Sequence, residues 1–214
     1  MSRTPDSSYL RNRSSLESAG LTADMILQGI AYTYRVLDAI DDKLMAEGEP
    51  RLSRMIELAN LSSVIGNVLG SGIAKASEGV FRRNGPHKYP DLLSQEPGAC
   101  DVEIKVALEA NSPKGHLAKP GCYATCRYVL CDANGRCELD TNKRGDVAWI
   151  WEIRFGWLEK ADFSVSSTEG DSGKTAVIKS QSLLNLVIVY IDLDRCPYPR
   201  GGRRFKQYSE AYSP

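Results

Sequence analysis

Apolar residues recur at helical spacing through the first third of the chain. From Leu21 to about Glu47 they share one face of a helix, and a Gly-Glu-Pro segment at 48–50 ends the pattern. A second helical region is predicted from Arg51 to about Gly79. Three glycines inside it either bend the helix or allow close packing against a sheet: Gly66, Gly70 and Gly72. Residues 1–80 are therefore predicted to form a helical region that packs on the core of the protein.

The pattern changes at a basic, turn-rich connection spanning residues 82–88. Beyond it, β-branched and aromatic residues between turn signals predict strands near 101–109, 123–132, 147–158 and 186–193. Asn134-Gly135 is typical of a tight turn, and residues 174–185 suggest a short helix. The chain is therefore predicted to be an α/β protein. Position parity places Trp149, Trp151 and Trp157 on one face of their strand, as core or dimer-contact residues.

Composition is that of an ordinary globular protein. The 214 residues are 42% apolar and 25% charged, with a formal net charge of zero. Any affinity for nucleic acid must therefore come from local clusters of Lys and Arg. The N-terminus lacks the apolar core of a signal peptide, and no apolar stretch reaches the roughly 20 residues that span a bilayer. We expect a cytoplasmic protein with no membrane segment.

The cysteines and the C-terminus add two further expectations. Six cysteines are present, and their spacing is a poor match for paired zinc ligands, so we expect reduced thiols that pack as small apolar residues. Residues 195–206 contain five basic residues, no acidic residue and several Pro and Gly. We therefore divide the chain into a helical region at 1–80, a core at 81–195 and a flexible basic C-terminal arm at 196–214.

The chemistry is concentrated in two short segments. Tyr89-Pro90-Asp91-Leu92-Leu93 is followed ten residues after the aspartate by Asp101-Val102-Glu103-Ile104-Lys105. Side chains of a strand alternate between faces, so Asp101, Glu103 and Lys105 are expected to project together, opposite an apolar face. Carboxylates of Asp91 and Glu103 suit Mg²⁺, which lowers the pKa of a bound water and stabilises charge on phosphate. Lys105 would orient the attacking water or neutralise that charge.

These residues, Pro90-Asp91 and then Glu103-Ile104-Lys105, resemble the signature of the PD-(D/E)XK nuclease superfamily, which contains most type II restriction endonucleases. The resemblance covers the signature and the order of elements over about residues 60–195. It implies a restriction-endonuclease-like mixed central sheet flanked by helices, Mg²⁺-dependent cleavage of double-stranded DNA and a homodimer that cuts both strands. Family members often add an acidic metal ligand from the preceding helix. Glu78 is the best-placed match, and Glu57 lies in the same helical region.

Basic residues on either side of this motif are candidate contacts to the DNA backbone. They precede it, follow it and close the chain: Arg82, Arg83, Lys88, Lys114, Lys119, Arg203 and Arg204. Two histidines in turn-rich segments, His87 and His116, are either exposed loop residues or phosphate contacts.

Two alternative functions remain open at the level of sequence. The same chemistry suits a DNA repair or recombination nuclease. Alternatively, the chain is a non-catalytic nucleic-acid-binding or assembly protein, in which Glu103 and Lys105 merely face solvent on an amphipathic strand.

One further segment resembles the end of a phosphate-binding loop: Gly170-Asp171-Ser172-Gly173-Lys174-Thr175. It lacks the first glycine of such a loop, since position 168 is Thr, and is expected to be a solvent loop.

Overall fold

The first 80 residues are mainly helical. The computed structural model describes residues 3–85, 88–138, 140–166 and 175–213. Thr22 caps the N-terminus of helix α1 (Ala23–Ala46), because its hydroxyl accepts a hydrogen bond from the backbone N–H of Met25. The helix predicted for 21–47 is therefore confirmed. The second helical region is divided, because the backbone is extended at Ile56 and Glu57. The result is a single turn, α2 (Leu52–Met55), followed by α3 (Leu58–Ala76).

Strands dominate the remainder, with two further helices. In chain order the elements are β1 (Phe81–Arg83), β2 (Leu92–Ser94), β3 (Val102–Leu108), β4 (Lys114–Gly115), β5 (Gly121–Cys131), β6 (Val147–Leu158), β7 (Phe163–Val165), β8 (Ala176–Ile178), α4 (Ser180–Asn185), β9 (Val187–Ile191) and α5 (Arg203–Tyr212). Four of these strands coincide with those predicted from sequence. Residues 175–185 differ, because strand β8 precedes a helix that is shorter than expected.

The main sheet is mixed. Its strand order is β1-β2-β3-β5-β6-β9, in which β3 and β5 run parallel and every other neighbouring pair runs antiparallel. Strands β4, β8 and β7 form a second, smaller sheet. The protein is therefore α/β, with a mixed six-stranded sheet and a helical N-terminal region.

Helices α1 and α3 cover one face of the main sheet. Ile30 of α1, Ile65 of α3 and Ile104 of β3 belong to the same buried cluster. Two glycines of α3 allow this close approach. A Cβ at Gly66 would lie 3.1 Å from Val106, and one at Gly70 would lie 3.0 Å from Ile104. Close packing against the sheet is the role observed for Gly66 and Gly70, whereas Gly72 packs against α1, where a Cβ would lie 2.8 Å from Tyr32.

The opposite face is covered by the C-terminal segment, the small sheet and α4. Residues 203–212 form helix α5, so the prediction of a flexible basic arm is wrong for this segment. Tyr208 fixes the helix to the sheet, because its hydroxyl accepts hydrogen bonds from Arg127 Nη2 at 2.8 Å and from Arg154 Nη2 at 2.7 Å. Both arginines are buried and form ion pairs with Glu152.

A bulge in β6 overturns the prediction that the three tryptophans share one face of the strand. Arg127 pairs with Glu152 and Tyr128 with Ile150, so Trp151 is an extra residue and the alternation of faces shifts beyond it. Trp151 is fully buried beneath the C-terminal segment, whereas Trp157 is 58% exposed. The three tryptophans therefore do not share one buried face.

The loop between β5 and β6 contains the predicted turn and an unexpected disulfide. Asp132 accepts a hydrogen bond from the backbone N–H of Asn134, and Gly135 has a φ of 78°, as the Asn-Gly pair predicts. Cys131 and Cys137 are joined by a disulfide, so the expectation that all six cysteines are reduced is wrong for this pair. Among the described residues, no helix is long and apolar enough to cross a membrane.

Candidate functional site

The hairpin of β2 and β3 brings the two acidic residues of the motif together. Leu92 pairs with Val102, so Asp91, one residue earlier, lies beside Glu103, one residue later. Two hydrogen bonds fix this arrangement. The backbone N–H of Asp91 donates to Glu103 Oε2 at 3.1 Å, and the backbone N–H of Ile104 donates to Asp91 Oδ2 at 2.9 Å. Both carboxylates are therefore held by backbone donors of the neighbouring strand.

Lys105 completes the cluster from the same face of β3. Residues two apart on a strand share a face, and the Lys105 ammonium forms an ion pair and hydrogen bond with Glu103 Oε1. Glu103 is only 6% exposed. A strand whose Glu and Lys merely face solvent would leave this carboxylate in water, so that alternative does not describe β3.

Asp101, which was expected beside Glu103 and Lys105, lies outside the cluster. It is exposed, precedes the first residue of β3, and accepts a hydrogen bond from the backbone N–H of Ser94 at 2.8 Å. The alternation of faces holds only within a regular strand, and β3 begins one residue later.

Burial and like charge both act on Glu103. Burial raises the pKa of the Glu103 carboxyl above its usual value of 4.5, the Lys105 ammonium opposes that rise, and the Asp91 carboxylate adds to it. The two carboxylates lie side by side across the hairpin and repel each other. Cations therefore stabilise this site, and Lys105 provides one of them.

Arg83 provides a second cation and links the site to α3. Its Nη1 atom is 3.5 Å from Asp91 Oδ1 and also donates to the backbone carbonyl of Asp91 at 3.3 Å. Its Nη2 atom donates to Asn67 Oδ1 at 3.0 Å. Arg83 is a candidate contact to DNA, and in this structure it also contacts Asp91. Asn67 was not predicted from the sequence, because its contact with the site depends on how α3 packs.

Two tyrosines lie near Glu103, and Lys119 packs against one of them. Tyr123 pairs with Glu103 in the parallel register of β3 and β5, and its hydroxyl donates to the Lys119 carbonyl at 2.7 Å. Tyr89 donates to the Pro120 carbonyl at 3.1 Å, and Lys119 Nζ lies 4.3 Å from the centre of its ring. Burial raises the pKa of both tyrosines, so both remain hydroxyl donors at neutral pH. The position of Tyr123 beside Glu103 follows from the register of β3 and β5, which a single sequence does not reveal.

Strand β4 of the smaller sheet passes over Lys105. A Cβ at Gly115 would lie 2.9 Å from Lys105 Cε and 3.2 Å from its Nζ. Lys114, the neighbouring residue of β4, is exposed at the same place. Glycine at 115 therefore leaves room for the Lys105 side chain.

The remaining candidate residues are spread more widely. Glu78 lies in the turn after α3, is exposed and has a φ of 50°, and no contact described for it reaches Asp91 or Glu103. Arg82 and Lys88 are exposed near Asp91 in the chain. Arg203 and Arg204 are exposed on α5, where Arg204 donates to the Tyr198 hydroxyl at 3.3 Å. His116 is exposed, and His87 lies outside the described residues, as do positions 170–174 of the expected solvent loop.

The metal-ligating groups at this site are two carboxylates. Within the part of the chain that the structure describes, no group of three or more His, Cys, Asp or Glu side chains is arranged to hold a metal ion. Mg²⁺ commonly binds to one or two protein carboxylates and takes its other ligands from water and substrate phosphate. Asp91 and Glu103 match that requirement. No protein-family model matches the chain, and no curated protein matches its sequence.

Proposed function

We propose that the protein is a Mg²⁺-dependent endodeoxyribonuclease that hydrolyses phosphodiester bonds of duplex DNA, acting as a type II restriction enzyme. The observation that carries the proposal is the joining of Asp91, Glu103 and Lys105 at the β2–β3 hairpin. The first two residues offer carboxylate oxygens, and the third offers a positive charge beside them. The resemblance to the PD-(D/E)XK superfamily assigns the same three residues to catalysis.

The electrostatics of the pair suit a divalent cation. Burial and the Asp91 carboxylate disfavour the charged form of Glu103, and a cation between the two carboxylates would remove that repulsion. Bound there, Mg²⁺ supplies a water of lowered pKa and neutralises charge on the phosphate. Glu78 is the candidate for a further ligand, and it would act through water or after movement of its turn.

The residues of the chain have separate roles around that site. The Ile104 N–H and Arg83 orient the Asp91 carboxylate, and the Asp91 N–H orients Glu103. With a cation bound at Glu103, the Lys105 ammonium would be free to hold the attacking water or to stabilise negative charge on the phosphate. The partial exposure of Lys105 allows it to reach a substrate.

DNA would reach the site across a surface of basic side chains. Lys88, Lys114 and Lys119 are close to the hairpin in the chain or in the fold, and each is a candidate phosphate contact. Arg82, Arg203 and Arg204 would extend this surface. Because the net charge is zero, affinity would depend on this local cluster and would weaken as salt concentration rises. The proposal includes a restriction-endonuclease-like fold, a homodimer that cuts both strands and a cytoplasmic location.

Incubation of supercoiled plasmid with the purified protein, with and without Mg²⁺, tests the proposal. Discrete linear fragments that appear only with Mg²⁺ support a restriction enzyme. Nicking confined to branched or damaged DNA favours the repair alternative, and a mobility shift without cutting favours a binding protein. Asp91→Ala, Glu103→Ala and Lys105→Ala should each abolish cutting while the circular dichroism spectrum is retained.

Asp101→Asn is the matched control for these variants. It removes a carboxylate only two residues from Glu103 in the same segment, and its hydrogen bond to Ser94 lies outside the cluster. It should cut at the wild-type rate. Glu78→Gln measures whether the turn after α3 contributes a ligand, since a loss of Mg²⁺ affinity assigns it to the metal site.

A further inference from the structure

Two free thiols lie against each other near the start of strand β3. Cys100 Sγ and Cys122 Sγ are 2.9 Å apart. A disulfide has an S–S distance of about 2.05 Å, so bonding requires the sulfur atoms to approach by roughly 0.9 Å. Cys100 is partly exposed, which gives a reagent in solution access to one member of the pair.

The pair is placed at the start of two parallel strands. Cys100 is two residues before β3, and Cys122 pairs with Val102 near the start of β5. Cys122 belongs to the apolar cluster beneath α1 and α3, whereas Glu103 and Lys105 face the other side of the sheet. A bond between the thiols would therefore join the strands without entering the acidic site.

The other cysteines differ in their surroundings. All six lie within the described residues; Cys131 and Cys137 are already bonded, and Cys126 and Cys196 are buried. Cys126 is completely buried, and burial raises the pKa of the Cys196 thiol to about 11. The pair at 100 and 122 thus combines access with a partner in reach.

We propose that Cys100 and Cys122 are a reversible oxidation site, which forms a disulfide with a small disulfide oxidant such as oxidised glutathione. This inference does not depend on the proposed nuclease activity. The crosslink would close a loop that includes β3 and would fasten the strand that carries Glu103 and Lys105 to β5. It would therefore stabilise the fold and leave the acidic site intact.

The reaction proceeds by two thiol–disulfide exchanges. The Cys100 thiolate attacks one sulfur of oxidised glutathione, forms a mixed disulfide and releases one glutathione thiolate. Cys122 then loses its proton and attacks the Cys100 sulfur, which releases the second glutathione. In total the two cysteines lose two electrons and two protons, and the oxidant is reduced to two thiols. Burial raises the pKa of Cys122 to about 12, so Cys100 is the thiol that reacts first.

Alkylation under denaturing conditions without reductant counts the thiols. The untreated protein has four free cysteines among its six, and after oxidised glutathione we expect two, with a linked peptide that contains Cys100 and Cys122. The melting temperature should rise by roughly 5 °C, because the crosslink restricts the unfolded chain. Dithiothreitol at a concentration that spares the Cys131–Cys137 bond should reverse both changes.

Single variants separate this reaction from general oxidation. Cys122→Ala should trap the first step, so that Cys100 carries a stable glutathione adduct. Cys196→Ala is the matched control, because it removes a buried thiol outside the pair and should still lose two thiols on oxidation. Retention of all four thiols in the wild type, or a linked peptide that joins Cys100 to a different cysteine, overturns the proposal. Neither result bears on whether the protein cuts DNA.

Discussion

Replacement of Lys105 by Met tests the electrostatic account of the site most fully. The substitution removes the ammonium that neutralises Glu103 and keeps an unbranched side chain beneath Gly115. Glu103 then retains the Asp91 N–H as its hydrogen-bond donor. A hydrogen bond to a charged group contributes about 1.5–3 kcal/mol, and the partial exposure of Lys105 favours the lower half of that range. We expect a loss of about 2 kcal/mol at pH 7, or a fall in Tm of about 4–8 °C.

The loss of stability in Lys105→Met should depend on pH in a defined direction. The pKa of Glu103 is raised in the folded protein, so its contribution to stability is greatest below 4.5 and decreases as pH rises through the folded value. Lys105 opposes that rise, and its removal moves the folded pKa higher still. The stability difference between wild type and Lys105→Met should therefore be small near pH 4 and increase toward pH 8. Urea unfolding at a series of pH values measures it.

Loss of the Lys105 ammonium should affect the cleavage rate more strongly than it affects the free energy of unfolding. Removal of a positioned cation from a site where negative charge develops costs about 10²–10³-fold in rate, and plasmid cleavage with saturating Mg²⁺ measures this. Lys43→Met is the matched control, because Lys43 pairs with Glu47 on the exposed surface of α1, where an ion pair contributes little. Wild-type cleavage by Lys105→Met would refute its role in the reaction. A Tm change equal to that of the control, at every pH, would refute the dependence of Glu103 on Lys105.

Three further substitutions test other parts of the account. Arg83→Gln removes one electrostatic contact that orients Asp91. It should reduce the cleavage rate about tenfold, which corresponds to about 1.4 kcal/mol, with little change in fold. Kinetics at several Mg²⁺ concentrations would measure this effect. Gly115→Ala should displace the end of Lys105 and slow cleavage without changing Mg²⁺ affinity, as calorimetry and cleavage rates would show. Tyr208→Phe should destabilise the fold by about 2–3 kcal/mol in urea unfolding, because two buried guanidinium groups lose an acceptor.

Matched controls accompany these variants. Asn67→Ala removes only the outer partner of Arg83 and should have a smaller effect on cleavage than Arg83→Gln. Gly201→Ala places a Cβ where no atom lies within 4 Å and should behave as wild type. Tyr212→Phe changes a less buried hydroxyl on the same helix as Tyr208. Equal effects within any of these pairs would contradict the assigned contacts.

Local signals in the sequence were sufficient for much of the fold. Helical spacing predicted α1 because one mainly apolar face is buried from Ala23 to Asp41. Alternation of apolar and polar residues predicted strand β3, and strand geometry predicted that Glu103 and Lys105 share a face. These predictions succeed because each depends on residues close together in the chain.

Several features that the sequence analysis missed depend on contacts between distant segments. Trp157 is exposed because the bulge at Trp151 shifts the alternation of β6, and a bulge is defined by pairing with β5. The positions of Tyr123 and Arg83 beside the acidic pair follow from strand register and from packing against α3. Helix α5 had a local signal, since Phe205, Tyr208 and Tyr212 recur at helical spacing, but its basic composition suggested an arm.

The central claim is that Asp91 and Glu103 together bind one divalent cation used for hydrolysis. Titration of the protein with Mn²⁺, followed by electron paramagnetic resonance and paired with cleavage assays on the same samples, tests it most directly. The wild type should bind the ion and cut DNA, whereas Asp91→Asn and Glu103→Gln should each lose both properties. Undiminished Mn²⁺ binding and cleavage in either variant would contradict the account.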